Sequence, residues 1–215
     1  MVVRLPRSRM EALVARFGHD DTPRVYHDRY PVRELFWRRL RALLALSRSP
    51  RDRVLDFGGG NGVLLPTLAR RYREVVCVDL RTEMAEEIVR TESLANVDVR
   101  PGELASLALP EASFDAIVAA DVLEHISDHE ALVGEFHRLL RPGGELLVSA
   151  PSENRFYELG RRVFGYTKPH DHYHPASGVE AAIARKLRLD RRRSFPLNVA
   201  PLAVFSLTRF VKEAM

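Results

Sequence analysis

Among its 215 residues the chain has a single cysteine, Cys77. One thiol cannot form an internal disulfide, so a reducing, cytoplasmic setting is the default expectation. Cys77 lies inside the apolar run VVCVDL, which reads as a buried strand and not as a reactive site. No apolar run approaches the ~18 residues needed to cross a bilayer, so no stable membrane insertion is expected. The opening segment MVVRLPRSRMEALVARF is basic but turns amphipathic, without the continuous apolar centre of a secretory leader. Internal repeats and low-complexity tracts are absent. Lysine is scarce beside arginine, and no aromatic residues interleave with a basic stripe. The net charge of +4 and the pI of about 9.5 therefore do not describe a nucleic-acid surface, and no nucleic-acid partner is expected.

What is present suits one globular domain with a proper core: 46% of residues are hydrophobic and 29% charged. Met10, Leu13, Val14 and Phe17 fall at helical spacing, as do Leu35, Phe36, Leu40, Leu43 and Leu44. The turn-rich stretch GHDDTPRVYHDRYP separates them, and Ser49-Pro50 closes the region. Residues 1–50 thus read as a helical region ahead of a core spanning 51–215.

From Arg53 the pattern changes to short apolar runs: RVLDF, EVVCVDL, NVDVR, FDAIVAA and GELLVSA. Helical stretches at about 62–72, 82–95 and 128–140 alternate with them. Runs with little polar alternation suit strands buried on both faces, and the alternation implies a doubly wound α/β domain with a mostly parallel sheet. Ser127 with Glu130 marks the start of the third helix as a capping box. A long irregular insertion is expected at about 151–177, then a short helix near 178–186. LRLDRRRSF and LAVFSLTRFVK read as closing strands, one of them antiparallel.

The segment RVLDFGGGNGVLLPTLA carries the strongest chemical signal. A strand ends at Asp56 and Phe57, a glycine-rich turn follows, and a helix begins near Gly62. Doubly wound folds bind cofactors at such turns. The dinucleotide spacing G-x-G-x-x-G fails here, because the sixth position is Val63 counted from Gly58 and Leu65 counted from Gly60. The pattern is instead D-x-G-x-G-x-G, over Asp56, Gly58, Gly60 and Gly62. Its leading carboxylate suits a cationic group, such as the amino group of a methionine moiety, and would repel a pyrophosphate. Asp79, where the second strand ends, is placed to accept the two hydroxyls of a ribose. Glu103 after Gly102 can accept an adenine amino group, while the Leu104 N–H bonds a ring nitrogen. Asp121, Glu124 and His125 follow the fourth strand and face the mouth of the same pocket.

These motifs resemble the class I S-adenosylmethionine-dependent methyltransferases, in particular the small-molecule branch that includes the ubiquinone and menaquinone biosynthesis enzymes. VLDFGGGNG is similar to that family's first motif, CVDL to its second-strand acid and GEL to its adenine loop. FDAIVAADVLEHI and LLRPGGELLVSAP are similar to its fourth and fifth strands, so the likeness covers roughly residues 51–151. The family's loop usually carries Asp where Glu103 stands here. The resemblance implies a single Rossmann-like domain with N-terminal helices forming a lid. It also implies S-adenosylmethionine as cofactor, with Asp56 and Gly58 at the methionine end, Asp79 at the ribose, and Glu103 with Leu104 at the adenine. Gly60, Asn61, Leu80 and Asp121 complete the candidate cofactor set.

The implied activity is methyl transfer to a hydroxyl or amine of a small or lipid-like metabolite, the alternative being a catalytically inactive cofactor-binding regulator. His125 is the first candidate for a general base, because histidine titrates near neutral pH. Tyr26, His27 and Tyr30 form a second set. His170, His172 and His174 would share one face of an extended segment, as metal ligands do, but an acceptor-site lid is the favoured reading and no metal is expected. A DNA amino-methylase would carry N/D-P-P-Y/F where this chain has DVLEH. A nicotinamide dehydrogenase is disfavoured by the glycine spacing.

Overall fold

The apolar runs become the strands of one seven-stranded sheet: β1 (Arg53–Phe57), β2 (Glu74–Asp79), β3 (Val97–Pro101), β4 (Phe114–Ala120), β5 (Leu140–Pro151), β6 (Arg188–Phe195) and β7 (Phe205–Val211). Their order is β3-β2-β1-β4-β5-β7-β6. The computed structural model describes residues 2–17, 23–28, 30–48, 52–152, 154–164 and 176–214. Strands β1 to β5 pair in parallel, and β7 pairs antiparallel with both β5 and β6. The mostly parallel, doubly wound expectation holds, including its antiparallel C-terminal strand.

Side-chain alternation along β1 sorts the core into two layers. Val54 packs in one cluster with Val75, Cys77, Val118 and Leu147, and Leu55 in the other with Val76, Ile117 and Phe136. The first face is covered by α1 (Arg7–Phe17), α2 (Val32–Leu44), α3 (Leu65–Ala69) and α4 (Glu83–Thr91). The second is covered by α5 (His129–Leu139) and α7 (Ala176–Ile183). Met10, Leu13, Trp37, Leu40 and Leu43 of the first fifty residues belong to the same cluster as Val54. Asp56 has the parity of Val54 and so faces the layer that α2 covers.

Helix α2 runs against the strands. Arg39 reaches Ser149 near the carboxyl end of β5, whereas Ser47 and the Arg48 N–H reach Glu145 near its start. The buried Arg209 guanidinium pins that second end, bonding the Leu46 carbonyl at 2.5 Å and pairing with Asp190.

Three local expectations need correction. The cap of α5 is Asp128, not Ser127: its carboxylate accepts the Ala131 N–H at 3.1 Å. The helix expected at 62–72 shrinks to Leu65–Ala69, because Gly62 takes a φ of +67° and cannot start it. Part of the insertion expected to be irregular is helical, α6 (Arg155–Phe164), started by Asn154, whose side chain accepts the Tyr157 N–H at 2.8 Å.

Candidate cofactor and active site

Strand order reverses between β1 and β4, which places a crevice at their carboxyl ends. The loops after both strands line it. A Cβ on Gly58, which has a φ of +73°, would collide with Val122 of the β4 exit, and one on Gly59 would collide with the Asp56 carboxylate. A Cβ on Gly60 would lie 2.7 Å from the Asp79 carboxylate. Missing side chains therefore let two carboxylates and the β4 exit close in on one loop.

The two acids differ. Asp79 is half-buried and held by backbone: Oδ2 accepts the Gly60 N–H at 2.9 Å and Oδ1 accepts the Arg81 N–H at 3.0 Å. Each oxygen keeps a lone pair for a hydroxyl. Asp56 is buried, and its Oδ2 has no hydrogen-bond partner. Burial, with the Asp79 charge adding to it, pushes the Asp56 carboxyl up to about 7. The same burial, with both carboxylates nearby, pushes the Cys77 thiol up. A buried carboxylate with an unmet oxygen is costly unless a cationic or donor group arrives. The donor set thus fits a ligand that brings a positive charge to Asp56 and a diol to Asp79.

Across the crevice, Asp121 sits at a φ of +55°. Its Oδ1 accepts the Ser149 hydroxyl at 3.1 Å, its backbone N–H bonds the Ser149 carbonyl at 2.9 Å, and its other oxygen pairs with Arg39. Arg39 is 1% exposed and lies between the rings of Phe36 and Phe205, at 5.0 and 4.5 Å. It also donates to the Tyr26 hydroxyl at 2.9 Å. Tyr26 is fixed further by its carbonyl, which accepts the Trp37 indole N–H at 3.1 Å. Burial raises the Tyr26 hydroxyl above its usual range, against the pull of Arg39 and with help from the Asp56 charge. It stays protonated at neutral pH, which suits a donor better than a base.

The remaining candidates scatter more widely. Leu104 is buried, while Glu103 is exposed, its carbonyl accepting the Ser106 N–H and hydroxyl. Gly102 ties this loop to the site through its N–H to the Asp79 carbonyl at 2.9 Å. Asn61 accepts the Val63 N–H at 3.1 Å. Leu80 is 71% exposed and Tyr30 is 77% exposed, so neither side chain joins the buried group. His125 is half-buried in the turn that follows Val122, and His27 is half-buried with its Nε2 unpartnered. His170, His172 and His174 lie outside the described residues, among which no three potential metal ligands cluster.

Sequence reasoning missed Arg39, Ser149 and Phe205. Arg39 carried a legible signal. It lies four residues after Leu35 and four before Leu43, a charged residue on the apolar face of α2.

Comparison with known proteins agrees with this geometry. Residues 55–148 match the family described as a methyltransferase domain. The ubiquinone biosynthesis O-methyltransferase of Xanthomonas campestris pv. campestris is 34% identical over 142 residues, covering 64% of this chain and 57% of that protein. Its counterpart in Xanthomonas oryzae pv. oryzae is 38% identical over 100 residues, covering 45% and 42%. The chain thus spans about half the length of these curated relatives. The fold is that of the N-methyltransferase NodS of Bradyrhizobium japonicum WM9 in complex with S-adenosyl-L-homocysteine, with a TM-score of 0.66 at 20% identity, covering 96% of this chain and 97% of the other. A SAM-dependent methyltransferase from Aquifex aeolicus superposes with a TM-score of 0.67 at 20% identity, covering 97% and 98%. Residues 55–148 therefore resemble a methyltransferase domain, and the fold is the one seen in S-adenosylmethionine-dependent methyltransferases. S-adenosylmethionine is the cofactor of that class.

Proposed function

We propose that the chain is an S-adenosylmethionine-dependent methyltransferase acting on a hydroxyl or amine of a small or lipid-like metabolite. The observation that carries this reading is the buried, unmet Asp56 oxygen at the β1–β4 crevice, beside a loop that no larger residues would allow. Asp56 receives the ammonium of the methionine end, Asp79 the ribose hydroxyls, and Glu103 with the Leu104 N–H the adenine. Gly58, Gly60 and Asn61 form the wall of the loop, and Leu80 and Asp121 border it.

When bound, S-adenosylmethionine supplies a methyl group already activated on a sulfonium. What the chain's own residues must do is align acceptor and methyl for in-line attack, an orientation effect worth roughly 7–11 kcal/mol in favourable systems. Tyr26 and Arg39 bring the N-terminal segment against the crevice, which supports a lid role for that region and excludes water there. His125, at the crevice mouth, takes the proton that a hydroxyl or ammonium acceptor must lose.

Calorimetry with S-adenosylhomocysteine tests the donor half. Asp79→Ala should weaken binding about a hundredfold, since it removes charge-assisted hydrogen bonds to a diol. Unchanged affinity would remove the ribose assignment, and no binding by the unaltered protein would remove the whole reading.

A further inference from the structure

Helix α6 turns an apolar stripe away from the protein. At 100° per residue, Phe156, Leu159 and Val163 fall within about 60° of one another. They are 42%, 59% and 69% exposed. The other side of the helix is anchored, with the Tyr157 ring meeting Phe205 edge-on at 6.4 Å. The neighbouring turn between β6 and β7 exposes Leu197, Val199 and Leu202 as well. This turn holds the start of α6: Asn154 Nδ2 donates to the carbonyls of Ala200 and Ala203, and the Ser152 hydroxyl donates to Ala203 at 2.7 Å. Most of the large hydrophobic side chains exposed among the described residues gather here, at the carboxyl end of the sheet.

Charge selects what this surface meets. Arg155 and Arg162 lie about 40–60° round the helix from Leu159, both on the same side of the stripe. On the edge strand β6, Arg191 and Arg193 are exposed as well. None of the four has an ion-pair partner among the described residues. The single carboxylate of α6, Glu158, is half-buried and has a partner of its own. An apolar ridge flanked by long cationic side chains is the arrangement of an interfacial helix, whose arginine stems lie along the apolar layer while the guanidinium groups reach anionic headgroups.

We propose that α6 and the β6–β7 turn dock the protein onto a bilayer surface containing anionic lipid, with the crevice mouth facing the membrane. The contact is peripheral, since no helix among the described residues is long and apolar enough to span. It stands independently of methyl transfer.

Vesicle co-sedimentation at low salt tests it, using phosphatidylcholine vesicles with and without phosphatidylglycerol. The unaltered chain should pellet with the mixed vesicles and be released by salt. Leu159→Glu/Val163→Glu should reduce partitioning on the order of a hundredfold. Arg155→Gln/Arg162→Gln should reduce it roughly 25-fold on mixed vesicles and leave binding to neutral ones unchanged, since each arginine near an anionic surface contributes about fivefold. Undiminished S-adenosylhomocysteine affinity identifies a folded variant, and the arginine pair decides the question if the glutamate pair misfolds. Absence of binding to either vesicle, or full binding by both variants, would overturn the proposal. So would lipid-free sedimentation equilibrium showing a dimer that the glutamate pair dissociates, because the face would then belong to a second copy.

Discussion

Asp56 and Asp121 stand at the ends of adjacent parallel strands, yet the fold treats them in opposite ways. Asp121 receives a buried guanidinium, a serine hydroxyl and a backbone contact. Asp56 receives neither cation nor donor at its Oδ2, and it has Asp79 as a neighbour. One carboxylate is finished by the protein itself. The other keeps an unmet oxygen, which the proposed function assigns to the ammonium of the cofactor. The difference teaches that the crevice is not uniformly acidic: Arg39 cancels charge on the β4 side and concentrates the unmet charge on the β1 side. A ligand with its cation at one end is oriented by that asymmetry alone.

The largest expected loss of stability comes from removing the cation. Arg39→Met strands Asp121 in a mostly buried position and should cost about 3 kcal/mol, a fall in Tm of roughly 6–12 °C. Arg39→Met/Asp121→Asn should recover at least half of that loss by thermal denaturation. A double variant no more stable than the single one would show that the pair is not electrostatically matched.

Asp56 should behave in the opposite way. Its folded pKa is raised, so the folded protein holds a proton that the unfolded chain has already released. Stability is therefore lost as pH rises from about 4 to about 7, and the full cost persists above that. Asp56→Asn should gain on the unaltered protein across this window, by about 2–4 kcal/mol at its upper end. Binding reverses the sign: a cationic ligand needs the ionised carboxylate. Affinity for S-adenosylhomocysteine should fall about tenfold per pH unit below about 7, and Asp56→Asn should flatten that slope. A slope that survives in the variant would locate the titration elsewhere. The smallest effect belongs to Ser149→Ala, which removes one neutral donor from Asp121 and should cost about 1 kcal/mol in denaturant unfolding.

Much of this was legible in the chain itself, for identifiable reasons. The strands announce themselves because burial on both faces demands unbroken apolar runs, as in FDAIVAA. The acids at 56 and 79 are readable because strand ends in this topology point at the crevice. Pairings across long sequence separation leave no such trace. Nothing near Asp121 declares that its partner is Arg39, and nothing in DxGxGxG declares that the glycines make room for Asp56, Asp79 and Val122 as well as for a ligand. Helix α6 was not legible for another reason: its apolar residues face outward, so hydrophobic periodicity alone did not assign it to a core. Leu80 and Tyr30 follow signals of position, and position did not say which way their side chains turn.

Strand β7 has one more consequence. It fills the gap between β5 and β6, so β6 joins the sheet only through a strand that follows it in the chain. During synthesis, β6 leaves the ribosome with no neighbour, while β5 presents an unpaired edge waiting for residues not yet made. Both edges stay open to other chains until Phe205–Val211 emerges, which makes the moments before that strand appears the interval in which this protein most needs protection from its own copies.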